Sequence, residues 1–206
     1  MTSSEPAPAR LGRKRDHSRD PEILTAALDV LAETGYDGMT IDMVATRAKA
    51  GKATLYRRWP SKADLVIDAV ACLKRNDLDP ERLPDTGTLR GDLVAMIKPP
   101  TLDDGERKLR IMAGIASMIS RSPELGEAAR LAIVEPRVAA NRLLMQRARD
   151  RGEIPADADI DLAATIGPAM FAYRVLLLRQ PTTRESMLEL LDRVILPALG
   201  IRPTSS

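Results

Sequence analysis

Cysteine and histidine are all but missing: in 206 residues there is one thiol, Cys72, and one imidazole, His17. A lone cysteine cannot form an intramolecular disulfide, and a Cys/His zinc site needs more ligands than the chain owns. A Ser-His-Asp triad needs a histidine inside the fold, whereas His17 stands among charged residues near the N-terminus. Carboxylate-only catalysis stays open, but no spacing points to it. The expectation is therefore no catalytic residue, no metal and no cofactor. Aromatic residues make up only 2% of the chain, which argues against a binding site built on ring stacking. The apolar stretches read as shorter than the roughly 18–20 residues that span a bilayer, and none follows the N-terminal basic residues as a signal peptide requires. A cytoplasmic protein without a membrane partner is expected. Glycine-rich phosphate loops, internal repeats and sustained heptads are missing too.

Charge is plentiful and nearly balanced, with 31 Lys+Arg against 29 Asp+Glu, so its placement matters more than its sum. Between Arg47 and Lys62 lie six basic residues (Arg47, Lys49, Lys52, Arg57, Arg58 and Lys62) and no acidic one. Upstream, Arg10, Arg13, Lys14, Arg15 and Arg19 crowd a Ser/Pro/Ala-rich stretch without apolar period, which reads as a disordered basic arm over residues 1–19. A basic block by itself is most often a solvated face.

Helical periodicity begins at Asp20, an N-cap candidate followed by Pro21, with Ile23, Leu24, Ala27, Leu28 and Leu31 on one side up to Gly35. Thr40 is placed to cap a short second helix with the stripe Ile41, Val44, Ala45 and Ala48. After Lys49-Ala50-Gly51, a third short helix starts at Lys52 and must stop by Trp59, because the residue before a proline is driven toward extended geometry. Ser61 and Asp64 have capping-box spacing for a fourth helix. Pro80, Pro84, Gly87 and three aspartates between 76 and 88 suit a linker, which divides the chain into 20–75 and 89–200 with a tail at 201–206. Downstream, helices are expected near 89–98, 104–120, from Ser122-Pro123, over 136–151, over 161–179 with Gly167-Pro168 as a kink, and from a Thr182/Glu185 capping box to about Gly200. No strand pattern remains, so the fold class is all-α.

Three short helices and a longer one, with a tight turn between the second and third, form the arrangement of a helix-turn-helix. Residues 40–65, TIDMVATRAKAGKATLYRRWPSKADL, resemble the signature of the tetracycline-repressor (TetR) family through Thr40, Ile41, Ala45, Ala48, Lys52, Thr54, Leu55, Tyr56, Trp59, Ser61, Lys62 and Leu65. The resemblance extends more weakly across about residues 20–73. Two positions depart from the pattern: Lys49 stands where the family often has glycine in the turn, and Gly51 where it often has serine. Either the lysine takes a left-handed conformation or Gly51 absorbs the unusual angles.

Ile41, Ala45, Ala48, Leu55 and Leu65 have a packing reason to be there. Thr40, Lys52, Ala53, Thr54, Tyr56, Arg57 and Lys62 lie where polar groups and cations meet phosphates and base edges, and they are the expected DNA-binding residues. The resemblance implies a repressor that binds double-stranded DNA at a palindromic operator as a homodimer and is released by a small-molecule effector. A regulator without a ligand, or a helical adaptor that has lost DNA binding, are the competing readings. The last two helices carry apolar faces suited to a four-helix dimer interface: Leu162, Ile166, Met170, Tyr173 and Leu177 on one, Met187, Leu191, Val194 and Ile195 on the other. For the ligand, Met96, Met112, Met118, Met145 and Met170 with Phe171, Tyr173 and Arg174 are the candidates, the tightest set being Met96, Met112, Met118, Met170, Phe171 and Arg174. Arg110 or Arg174 would pair with an anionic effector if buried.

Overall fold

The computed structural model describes residues 18–73, 78–97 and 104–201, and side chains within them from Glu106 onward in the third stretch. His17, the basic residues of the arm upstream of it, the linker positions 76 and 77 and the tail beyond 201 lie outside the described residues. Every regular element described is helical: α1 (Asp20–Gly38), α2 (Ile41–Arg47), α3 (Lys52–Arg58), α4 (Lys62–Cys72), α5 (Leu89–Ala95), α6 (Asp104–Ile119), α7 (Pro123–Ala129), α8 (Glu135–Asp150), α9 (Ile160–Ala172), α10 (Arg184–Leu190) and α11 (Leu196–Ala198).

Local chemistry explains most of these ends. Thr40, Thr88, Ser122 and Asp159 each accept the backbone N–H three residues on, so one orphan amide of each helix is satisfied. Gly152 and Gly200, both at positive φ, follow the ends of α8 and α11. Three sequence expectations need correction. Arg19, not Asp20, precedes α1, because the Asp20 carboxylate is drawn into an ion pair with Arg58 of α3. The cap of α10 is Thr183, whose Oγ1 accepts Ser186 N–H at 3.1 Å, while the Thr182 hydroxyl is buried without a partner. Finally, α7 and α8 form one continuous rod. Pro136 has no N–H to give, and the ladder widens in the π-type turn Arg130–Val134 just before it, where Glu135 N–H reaches Arg130 O.

A second π-type turn, Tyr173–Leu177, prolongs α9, so Ile160–Leu177 is long and apolar enough to cross a membrane by length and composition alone. That corrects the expectation that no apolar stretch reaches such a length. Within this helix Pro168 cannot donate to Ala164 O four residues back. The orphaned carbonyl is taken by Asn141 of α8, whose Nδ2 donates to it at 3.0 Å from a fully packed position.

Two cores result. One fills the space between α1 and α4 and includes Leu28, Leu31, Val44, Leu55 and Leu65; Ile111, Ile115 and Met118 of α6 and Ala129 of α7 belong to it as well. The other joins α5, α8, α9 and the α10–α11 region through Leu89, Leu144, Met145, Ala164, Leu191 and Leu199. The stretch 76–88 expected as the linker therefore does not divide the two cores along the chain, because α6 and α7, beyond it, pack into the first. α6 lies so close to α1 that a Cβ at Gly114 would stand 2.6 Å from Leu31 Cδ1 and 3.0 Å from its Cγ. Leu31 is completely buried, so it has little room to yield. Gly114→Ala is expected to destabilise the protein by about 1–3 kcal/mol in chemical denaturation. An unchanged midpoint would mean that Leu31 finds another rotamer.

Candidate nucleic-acid interface

The turn between α2 and α3 sets the pose of the third helix. Ala50 N–H donates to Ala45 O at 2.9 Å and Lys49 N–H to Thr46 O at 3.2 Å, which closes α2 by a Schellman-type turn. The residue in left-handed geometry is Lys49, at φ 49°, while Gly51 is ordinary extended backbone at φ −68°, ψ 130°. A side chain in that region costs about 1–2 kcal/mol. The guanidinium of Arg19 offsets it: Nη2 donates to Ala48 O at 2.7 Å and Nη1 to Lys49 O at 3.2 Å, placing a cation on the carbonyl end of α2. Sequence reasoning counted Arg19 with the basic arm and missed this role, since nothing local pairs residue 19 with residue 48.

α3 is seven residues, about 10 Å by helical rise. Leu55 is fully buried beneath it, and Trp59 is buried at its end with Nε1 donating to Asp68 Oδ2 of α4 at 3.0 Å. With that side fixed, Lys52, Ala53, Tyr56 and Arg57 share the outward side, Tyr56 at 51% exposure, and Thr54 is half-buried beside them. Thr40 opens α2 with an exposed side chain whose Oγ1 accepts Met43 N–H at 3.2 Å. Ser61 and Asp64 form the expected reciprocal capping box at the start of α4.

The basic block resolves into struts and free cations. Arg47 holds Glu33 of α1 through two bonds of 2.5 and 2.6 Å, which keeps that carboxyl below its usual range. Arg58 turns inward to Asp20. Lys62, expected to face DNA, donates from Nζ to Tyr36 O at 2.6 Å and Met39 O at 3.0 Å, with the ammonium 4.4 Å from the centre of the Tyr36 ring. An ammonium has three N–H groups, so one remains. Lys49 and Arg57 are exposed and carry no ion pair among the described residues. Lys52 pairs with Asp42 of α2 at 2.5 Å, and that hydrogen bond raises the lysine above its ordinary value. Asp42 thus competes with any anion for Lys52. Asp42→Asn is expected to tighten DNA binding about threefold at low salt by removing that competition and a like charge, as titration by fluorescence anisotropy would read. Weaker binding would instead mean that Asp42 orients Lys52.

The six expected ligand contacts are not brought together. Met118 is fully buried in the core shared by α1 and α6, and Met112 packs against that core; Met96 packs against the other, as does the buried Met145. Met170 is 37% exposed on α9. Phe171 and Arg174 are half-buried near the end of that helix, where the Tyr173–Leu177 turn touches α6. Arg110 pairs with Glu106 on an exposed face, but Arg174 makes no ion pair among the described residues and its Nε is shielded without a hydrogen-bond partner. An open surface groove of 490 Å³ lies elsewhere, along Arg184, Leu188, Asp192 and Arg193.

Comparison with known proteins bears on the family and the fold. Residues 23–69 match the family described as bacterial regulatory proteins, tetR family, and residues 83–194 match the tetracyclin repressor-like C-terminal domain. An uncharacterised HTH-type transcriptional regulator of Mycobacterium tuberculosis is 38% identical over 181 residues, covering 88% of both chains. This chain belongs to the TetR family. The DNA-binding transcriptional repressor TetR of Mycobacteroides abscessus is 32% identical over 173 residues, 79% of this chain and 85% of that one. Among solved structures, a TetR-family regulator of Mesorhizobium loti shares the fold at a TM-score of 0.66 and 23% identity, over 91% of this chain and 98% of its own. The Bacillus subtilis regulator FadR, solved in complex with stearoyl-CoA, superposes with a TM-score of 0.60 at 17% identity, over 86% of this chain and 96% of that one. The TetR-family assignment makes this protein a helix-turn-helix transcriptional regulator, as its relatives are named, and accounts for α1–α4 as its DNA-binding part.

Proposed function

We propose that the protein is a cytoplasmic, homodimeric repressor that places α3 in the major groove of each half of a palindromic operator and leaves it when a small-molecule ligand binds the C-terminal helices. The observation that carries the DNA-binding surface is the outward side of α3, where Lys52, Ala53, Tyr56 and Arg57 lie together over the buried Leu55, with Thr54 half-buried beside them. Thr40 presents the N-terminus of α2 to a phosphate, and the third N–H of Lys62 reaches another. Base-edge contacts fall to Thr54, Tyr56 and Arg57, phosphate contacts to Lys52 and Lys62.

The dimer forms through the exposed side of Ile160–Leu177 and the adjoining Val194; Leu191 and Ile195, expected at the same interface, are buried in the protein's own core. The ligand lies at the seam of α6 with the Tyr173–Leu177 turn, beside Phe171 and Arg174; Met112, on α6, is the methionine assigned to it from the other side. Met96 and Met118 belong to the two cores and Met170 to the dimer face. Arg174 is half-buried, its Nε shielded without a hydrogen-bond partner and its charge without an ion pair among the described residues, which supports a ligand bearing an anionic group.

The test is an anisotropy titration of the protein against labelled duplexes from its own upstream region, at several salt concentrations, followed by addition of stearoyl-CoA, the ligand of the FadR structure, and of neutral and carboxylate analogues. Tight, salt-sensitive binding to one duplex that an anionic compound reverses supports the whole reading. Specific binding that no compound reverses would leave a regulator without this switch. No preference over random-sequence duplex would favour the adaptor.

A further inference from the structure

At Gly35 (φ 70°, ψ 170°) the backbone of α1 breaks, so Tyr36–Gly38 forms a separate corner before α2. A Cβ at Gly35 would meet nothing within 4 Å, so the corner is not wedged in place from that side. Two cations grip it from two different parts of the protein. Lys62, in the first turn of α4, binds the carbonyls of Tyr36 and Met39 and lies 4.4 Å from the Tyr36 ring centre. Arg121, just beyond α6, lies with its guanidinium carbon 5.5 Å from the same ring and is paired with Asp37. Ser117 of α6 adds a hydrogen bond, its hydroxyl donating to Asp37 Oδ2 at 3.2 Å. Tyr36 itself is buried, and burial pushes its hydroxyl above the ordinary value.

We propose that this corner is the joint linking DNA binding to the C-terminal helices, with Lys62 and Arg121 as positioning residues on its two sides. The linkage follows from shared partners. A displacement of α6 pulls Asp37 through Arg121 and Ser117; the corner then moves relative to α4, and Lys62 either follows or gives up two hydrogen bonds. In the other direction, a phosphate that engages the remaining N–H of Lys62 fixes the ammonium and, with it, the corner. Reciprocity requires that each end alters the other by the same factor. The joint rests on the phosphate contact given to Lys62 above, so the experiment separates the two.

Operator affinity is measured for the full-length protein, Arg121→Met, Lys62→Met and the double variant, each checked for folding by circular dichroism. Arg121 is half-exposed, and its loss leaves the core intact. Lys62→Met is expected to reduce the dependence of affinity on salt, and Arg121→Met to weaken binding about threefold without changing that dependence. The double variant departs from the product of the single effects by about threefold, because Arg121→Met has nothing further to weaken once Lys62 is gone. In hydrogen exchange, operator DNA slows residues 115–125 in the wild type and not in Arg121→Met; Asp37→Asn repeats that loss. Effects that multiply within twofold, together with exchange at 115–125 indifferent to DNA, would overturn the joint. An unchanged salt dependence in Lys62→Met beside a clear departure from multiplicativity would remove the phosphate contact and keep the joint.

Discussion

Glutamate in place of both Leu162 and Leu177 is expected to yield a folded monomer whose operator affinity is at least about 100-fold lower than that of the wild type. Leu162 is 64% exposed and Leu177 74% exposed, and between them Met170 and Tyr173 continue the same helical stripe. An apolar strip of that length marks a contact surface, which the proposed dimer would cover. Within Ile160–Leu177 the only charged residues are Asp161 and Arg174, so two carboxylates facing two more across a two-fold axis would meet a nearly uncharged, low-dielectric surface. The expected cost is repulsion plus desolvation, far above what the lost apolar area alone implies. The effect on DNA follows from geometry: two α3 helices must reach half-sites about one helical turn, roughly 34 Å, apart, and a monomer forfeits the second contact as an intramolecular event. Sedimentation velocity and anisotropy on the same samples decide it. A variant that remains dimeric would move the interface away from α9.

The second large effect is on α3. Lys52→Ala with Tyr56→Ala is expected to weaken operator binding by about two orders of magnitude and, in the dimer, to lower the slope of log affinity against log salt by about 2, since each lost phosphate contact removes about 0.9. The two substitutions act differently. Tyr56 is half-exposed, and its removal costs contact with the DNA but no counterion release; Lys52 sits farther along the same side and supplies the charge. Neither supports the core beneath, which rests on Leu55 and Trp59, so thermal stability should be little changed. Weakened binding with an unaltered slope would mean that Lys52 stays on Asp42 when DNA is bound. The phosphate role would then pass to Lys49 or Arg57.

The helices were legible wherever a local rule governs them. Thr40, Ser61 and the Trp59-Pro60 step mark their boundaries within a few residues of themselves, and the structure places α2, α3 and α4 where those signals lie. The boundaries that failed turned on a distant partner, on a non-α turn, or on which of two adjacent threonines caps a helix. Asp20 reads as a cap only if Arg58 is left out of account, and α8 begins at Pro136 only if a π-type turn is not considered. The basic block was the least legible part of the site. By sequence, Arg47, Lys49, Lys52, Arg57, Arg58 and Lys62 are equivalent charges; in space Arg47, Arg58 and Lys62 are struts that brace α1, and Lys52 is held by Asp42. Their partners are between 10 and 38 positions away along the chain, beyond the reach of any periodicity. Methionines suffered the same fate, because helical spacing says that Met112 and Met118 face inward without saying which interior they join.

The sharing of a core between α1 and α6 has a bearing on how such regulators can be recombined. Cutting the chain in the linker and transplanting residues 20–75 onto another sensor would strip Leu28 and Leu31 of the cover given by Ile111, Ile115 and Met118, and would bring Leu31 up against whatever side chain the new host presents where Gly114 stands here. Such a graft would carry an exposed apolar face and should aggregate or melt early. A head exchange that keeps this protein's α6, or that supplies a glycine opposite Leu31, is the one that preserves a working DNA-binding unit. The unit of exchange is therefore a contact surface, and the covalent linker is a poor guide to where one module ends and the next begins.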